Sequence, residues 1–134
     1  MSKAIDSIAY GTANLIWLIF GGLLLALSYF FEGLLFCITI IGIPFGIQLF
    51  KIGLYILHPF GYCIEDGDGI GSGCLGLIFN VIWILIGGIW LALAHLLIGL
   101  LFCITVIGIP IGVKHLQTAW LALVPFGKVI EKDY

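Results

Sequence analysis

The sequence predicts an all-α integral membrane protein of two tandem repeats, each a spanning helix plus a second helical segment broken at Gly-Ile-Pro. Three observations predict it: an apolar composition, two long charge-free runs and a gapless internal repeat. Of 134 residues, 63% are hydrophobic and 9% charged, with a mean hydropathy of +1.29. A soluble domain is about half apolar and about a quarter charged. Five Lys, seven Asp/Glu and no Arg cannot clothe a soluble surface. The same figures exclude a disordered chain and a nucleic-acid binder that relies on a basic patch. The net charge of −2 is too small to imply an electrostatic partner. Residues 7–31 and 69–113 carry no Lys, Asp or Glu, and a hydrocarbon core of about 30 Å takes roughly 20 apolar residues per helical span.

The repeat is the strongest signal. Residues 14–64 align without a gap on residues 80–130 at an offset of 66, with 25 identities in 51 positions. Apolar bias alone produces chance Leu and Ile matches. It does not produce Asn14/Asn80, Trp17/Trp83, Gly21-Gly22/Gly87-Gly88, Cys37/Cys103, Pro44/Pro110 and Pro59-Phe60-Gly61/Pro125-Phe126-Gly127. The organisation expected is therefore a tail over 1–13, repeat 1 over 14–64, an acidic Gly-rich linker over 65–79, repeat 2 over 80–130 and a tail over 131–134. The N-terminus does not read as a cleaved signal sequence, because Asp6 follows a single Lys and the apolar run is too long for a secretory core.

Within each unit, Asn14–Phe31 and Asn80–Leu97 read as spanning helices. Asn14 and Asn80 are placed as helix N-caps, and Trp17 and Trp83 as members of an interfacial aromatic belt. The second segments run over 33–57 and 99–123 and break at Gly42-Ile43-Pro44 and Gly108-Ile109-Pro110. Proline lacks the backbone donor and clashes with the preceding turn, yet it suits a helix start. New helices are therefore expected at Pro44 and Pro110. Gly42-x-x-x-Gly46 and Gly108-x-x-x-Gly112 fit small-residue spacing for close helix approach, between units or subunits. Two crossings per unit give four spans; one crossing, with the broken part re-entrant or interfacial, gives inverted repeats. Lys3, Lys128 and Lys132 direct the termini to the cytoplasm under the positive-inside rule.

The candidate chemistry lies after the break. Gln48, Lys51, Tyr55 and His58 recur at spacings that share a helical face. Lys114, Gln117 and Thr118 mark a similar face in the second unit, with His115 beside it. Such a face lies at the interface with Lys snorkelling to water, or lines a wet cavity. Two lysines near a cavity suit an anion path. Glu32 and His95 sit near the far ends of equivalent apolar runs, and neither repeats in the other unit.

Glu65-Asp66-Gly67-Asp68-Gly69 lacks the later ligands of a calcium loop and reads as a solvated turn. Cys37 and Cys103 read as small hydrophobes. Cys63 and Cys74 flank the linker and would pair only in an oxidising compartment. No metal site, cofactor or catalytic constellation is expected.

The residues carrying the repeat are also those of a known family. Asn14-x-Ile16-Trp17, Gly21-Gly22, the run Cys37-Ile38-Thr39-Ile40-Ile41-Gly42-Ile43-Pro44-x-Gly46, Lys51 and Pro59-x-Gly61 resemble the YccF-domain family of small inner-membrane proteins. The second unit carries the same run from Cys103 to Gly112, with Asn80-x-Ile82-Trp83 and Pro125-x-Gly127, and departs from the pattern at Gln117, opposite Lys51. The resemblance spans about 100 of the 134 residues. It implies a multi-pass plasma-membrane protein and brings no activity, substrate or catalytic residue. The expectation is a small oligomeric channel or transporter-like protein, with an anion as candidate substrate. The alternative is a non-conducting scaffold or accessory subunit bound to another membrane protein.

Overall fold

Long runs of Leu, Ile, Phe and Ala without an interior proline favour helix, and helix dominates the computed structural model, which describes residues 3–67 and 73–132. The elements are α1 (Lys3–Trp17), a π-helical turn (Leu18–Gly22), α2 (Leu23–Ile38), α3 (Ile43–Leu57) and β1 (Tyr62–Asp66), then α4 (Gly73–Trp83), a π-helical turn (Ile84–Gly88), α5 (Ile89–Ile104), α6 (Ile109–Leu123) and β2 (Lys128–Lys132). The chain divides into two units, one built on the residues up to Cys63 together with Lys132 and the other on Ile64–Glu131. Lys3–Ile38 and Gly73–Ile104 are each long and apolar enough to cross a membrane.

Each unit is organised around a helical hairpin, α2 against α3 in the first and α5 against α6 in the second. Close approach of the arms depends on glycine. A Cβ on Gly46 would lie 2.4 Å from Cys37 Sγ and 2.7 Å from the Gly33 carbonyl oxygen; on Gly112 it would lie 2.5 Å from Cys103 Sγ and 2.6 Å from the Gly99 oxygen. The small-residue spacing thus seals each hairpin internally, where the sequence suggested contacts between units or subunits. Phe30 with Phe50 and Phe36 with Phe45 fill the first hairpin, with ring centroids 6.3 Å and 5.9 Å apart.

Three further expectations are corrected. Helix α2 continues through Gly33 to Ile38, and the break falls at 39–42, just before the proline. Gly33 has helical neighbours on both sides, so nothing interrupts the chain at 31–33. Asn14 and Asn80 lie inside α1 and α4 and cap neither. The molecule is not wholly α, since β1 and β2 pair in a two-stranded sheet. Helix also covers 3–13 and 73–79, ahead of each repeat, and β2 takes in Glu131 and Lys132. Pro44 and Pro110 stand in the first turns of α3 and α6, as their chemistry favours.

The glycine pair at 21–22 has a local cause. Gly21 adopts φ +118° and Phe20 is also non-helical, so the helix bends there. Gly22 admits the Trp17 indole, whose Cδ1 would stand 2.2 Å from a Cβ on that residue. Gly88 receives Trp83 in the same way, at 2.4 Å from Nε1.

Candidate functional site

The hairpins have three zones: a foot where the chain enters and leaves, a middle bearing the ionisable side chains, and a tip. At the foot of the first, the Asn14 side chain donates to the Phe60 carbonyl (3.1 Å) and accepts from the Phe60 N–H (2.9 Å). A side-chain amide presents N–H donors and a carbonyl acceptor side by side, which matches the backbone N–H and carbonyl of one residue, Phe60, in the loop after α3. The Trp17 indole N–H donates to the Ile56 carbonyl at 2.7 Å. That carbonyl belongs to the last turn of α3, where no intrahelical partner exists. Asn80 with Phe126 and Trp83 with the Ala122 carbonyl repeat these bonds at 3.1, 2.9 and 2.7 Å. Trp17 is 0% exposed. The tryptophans are therefore buried locks, and the aromatic-belt expectation is set aside.

At the tips the turn caps itself. Thr39 Oγ1 donates to the Phe36 carbonyl (2.9 Å) and accepts from the Gly42 N–H (3.1 Å), and Thr105 does the same between Phe102 and Gly108. The residues around each threonine are wholly apolar and project outward: Ile41 is 87% and Ile107 93% exposed. In the sequence these threonines lie inside the repeated motif and carry no functional expectation of their own. The signal available was a hydroxyl three residues before a glycine in an otherwise apolar turn.

The predicted polar face divides. Lys51, His58 and Gln117 are exposed, Gln48 and Lys114 half-buried, and Tyr55 and Thr118 buried within their hairpins. Thr118 donates to the Lys114 carbonyl at 2.7 Å. His58 lies against Tyr62, with ring centroids 5.3 Å apart. The face is a boundary: its outer edge carries the lysine, and its inner edge packs on α2 or α5.

The second hairpin holds a feature not foreseen. His95 of α5 and His115 of α6 are both fully buried, and their Nδ1 atoms are 3.1 Å apart, a hydrogen bond whose donor depends on the tautomer. Phe102 stacks on His115 with centroids 6.1 Å apart. The aligned first-unit residues are Tyr29 and Leu49, also buried. Replacing His115 by Leu is expected to destabilise the protein by about 1 kcal/mol through loss of this bond. Combining it with His95→Tyr, which recreates the first-unit pair, should recover most of that. A double-mutant cycle read by unfolding in detergent checks it, with a coupling energy on the order of 1 kcal/mol expected.

Near the foot of the second hairpin, Lys128 pairs with Asp66 and lies over the Trp120 ring, 5.9 Å from its centroid. A cleft of about 310 Å³ opens beside the pair, lined among others by Gly73, Asn80 and Phe126. Among the described residues no three His, Cys, Asp or Glu side chains converge, and none of the four cysteines forms a disulfide. Asp68 and Gly69 of the acidic turn lie outside the described residues, whereas Glu65 and Asp66 stand on β1.

The YccF family, described as an inner membrane component domain, matches residues 12–62 and again 78–128. Proteins called "Inner membrane protein YccF" from Escherichia coli (strain K12) and Shigella flexneri are each 28% identical over 122 residues, covering 86% of this chain and 82% of theirs. No solved structure matches.

Proposed function

Because the chain belongs to the YccF family of inner membrane component domains, we propose that it is a non-catalytic membrane component, a scaffold or accessory subunit that works by packing against other membrane protein. The observation that carries this is the direction of its polar groups. Tyr55, His95, His115 and Thr118 turn into their hairpins, while Leu24, Leu27, Leu85 and Trp90 face outward. An apolar exterior of this kind meets lipid or another apolar helix, and small residues aside it has little to offer a soluble ligand. The proposed location is the plasma (inner) membrane, as the relatives' names give it.

A specific observation favours a second reading, an oligomeric channel or transporter for a small anion. Lys51 and Gln117 occupy aligned positions and are exposed midway along their hairpins, and cations at membrane depth are costly unless they meet water or a partner. Several copies would have to surround a pathway, since a chain this short cannot enclose one. Reconstitution into liposomes separates the two. The scaffold predicts vesicles as tight to chloride, nitrate, potassium and sodium as protein-free ones. Anion flux that falls in Lys51→Gln/Lys114→Gln would overturn it in favour of the channel. Stoichiometric co-purification with one foreign membrane protein supports the scaffold, and a clean homo-oligomer counts against it.

A further inference from the structure

We infer that each hairpin is re-entrant: it dips into the hydrocarbon and returns to the face it left, its tip reaching neither aqueous side. The partner of the tip is the acyl-chain interior of the bilayer, and this holds whether or not an assembly conducts.

Four observations point there together. The first is reach. The return arms from tip to foot, α3 and α6, have 15 residues each, about 22 Å at 1.5 Å per residue, against a hydrocarbon core of about 30 Å. The second is the foot. Bonds from Asn14 to Phe60 and from Trp17 to Ile56 tie the two ends of the first hairpin together, so entry and exit share a side. Asn80 and Trp83 tie the second in the same way.

The third is the chemistry of the turn. Ile38, Ile40 and Ile41 at one tip and Ile104, Val106 and Ile107 at the other are among the most exposed large apolar residues described. The sequence does contain a water-seeking acidic run, Glu65-Asp66-Gly67-Asp68-Gly69, whereas neither tip carries a charged residue. Irregular backbone at membrane depth also needs internal partners, and the Thr39 and Thr105 hydroxyls supply them on both the donor and the acceptor side.

The fourth is the placement of ionisable groups. Glu32 and Lys51 bound one stretch, residues 33–50, that has no ionisable side chain but Cys37; His95 and Lys114 bound an equally long stretch, 96–113, which has only Cys103. Drawn as a straight helix, such a stretch spans a bilayer. Folded at Thr39 or Thr105, it reaches only about half to two-thirds as far, because its residues are shared between two arms, 6 and 11 in the first hairpin and 9 and 8 in the second. Glu32, Lys51 and Lys114 then lie on the foot side, from which long side chains snorkel to the near head groups.

The test uses the full-length protein with its native cysteines replaced by alanine, in intact cells and in inverted membrane vesicles. Single cysteines are placed at the tips (Ile41→Cys, Ile107→Cys) and feet (His58→Cys, and native Cys74 retained), and a membrane-impermeant maleimide is added from each side. Foot cysteines should react from one side only. Tip cysteines should react from neither side, about tenfold more slowly or less than the feet, since the maleimide needs a water-borne thiolate. They should react fully once detergent is added. Modification of a tip from the side opposite its foot would show a hairpin that crosses; modification from the foot side would show one that stays in water. Either overturns the inference. Nitroxide labels on the same tip cysteines give an independent readout, expected to collide with oxygen and to be shielded from a soluble nickel chelate. The reverse pattern also overturns it. Unaltered unfolding of each variant in detergent establishes that it is folded.

Discussion

Leucine at Gly112 is expected to force the second hairpin open, lowering stability by about 3 kcal/mol or more, at the upper end of overpacking effects. A side chain there meets the Gly99 carbonyl oxygen at 2.6 Å and Cys103 Sγ at 2.5 Å from its first carbon alone. The oxygen belongs to the opposite arm's backbone and cannot swing away, so the arms must separate. Gly46→Leu should act equally on the first hairpin, against Gly33 and Cys37. Denaturant unfolding in detergent micelles measures the loss. Reactivity of the Cys103 or Cys37 thiol toward maleimide should rise in the same variant and identify the hairpin affected. A glycine facing lipid would tolerate leucine, and unchanged stability with unchanged thiol reactivity would refute the internal seal.

The second large effect is expected at Trp17. Truncation to Ala removes a fully buried indole, its 2.7 Å bond to the Ile56 carbonyl and its edge contact with Phe60, whose centroid is 6.0 Å away. About 3–5 kcal/mol is the usual scale for such a change. Trp17→Phe keeps most of the volume and removes only the donor, and it should cost about 1–3 kcal/mol because the carbonyl loses its partner away from water. Trp83→Phe should match it through Ala122. An interfacial belt tryptophan would behave differently, changing stability by about 0.5 kcal/mol or less as ordinary surface substitutions do. Thermal unfolding of the two phenylalanine variants in detergent separates these outcomes.

Why the sequence read Trp17 as interfacial is instructive. Tryptophan combines an apolar body with one N–H donor, and both a membrane boundary and a buried carbonyl satisfy that combination. Its partner stands 39 residues away, beyond any local pattern. Asn14 fails for the same reason: its partner is 46 residues distant, while the capping preference is local. Where the controlling interaction was local, the sequence was sufficient. Pro44 and Pro110 predicted helix starts because proline's constraint is contained in its own ring, and the hydrophobic runs predicted helix.

The polar face shows another limit. A helical repeat identifies residues that share a side, but it does not say which side meets the neighbouring helix. Tyr55 and Thr118 therefore belong to the predicted face and still lie within the hairpin. The strands were hidden because five residues such as Tyr62–Asp66 carry little alternation, and their pairing depends on a segment far along the chain. His95 and His115 stand 20 residues apart, and only folding at Thr105 brings them together.

The foot lock sets an order on assembly. Asn14 leaves the ribosome long before Phe60, and the intervening chain contains the whole of α2 and α3. The lock therefore closes only after the hairpin between them has been made. Once it closes, the first unit holds both halves of its own clasp, although β1 still awaits β2 at the far end of the chain. Asn80 and Phe126 stage the same sequence for the second unit. Duplication has thus produced two clasps, each of which closes only after its own hairpin has formed.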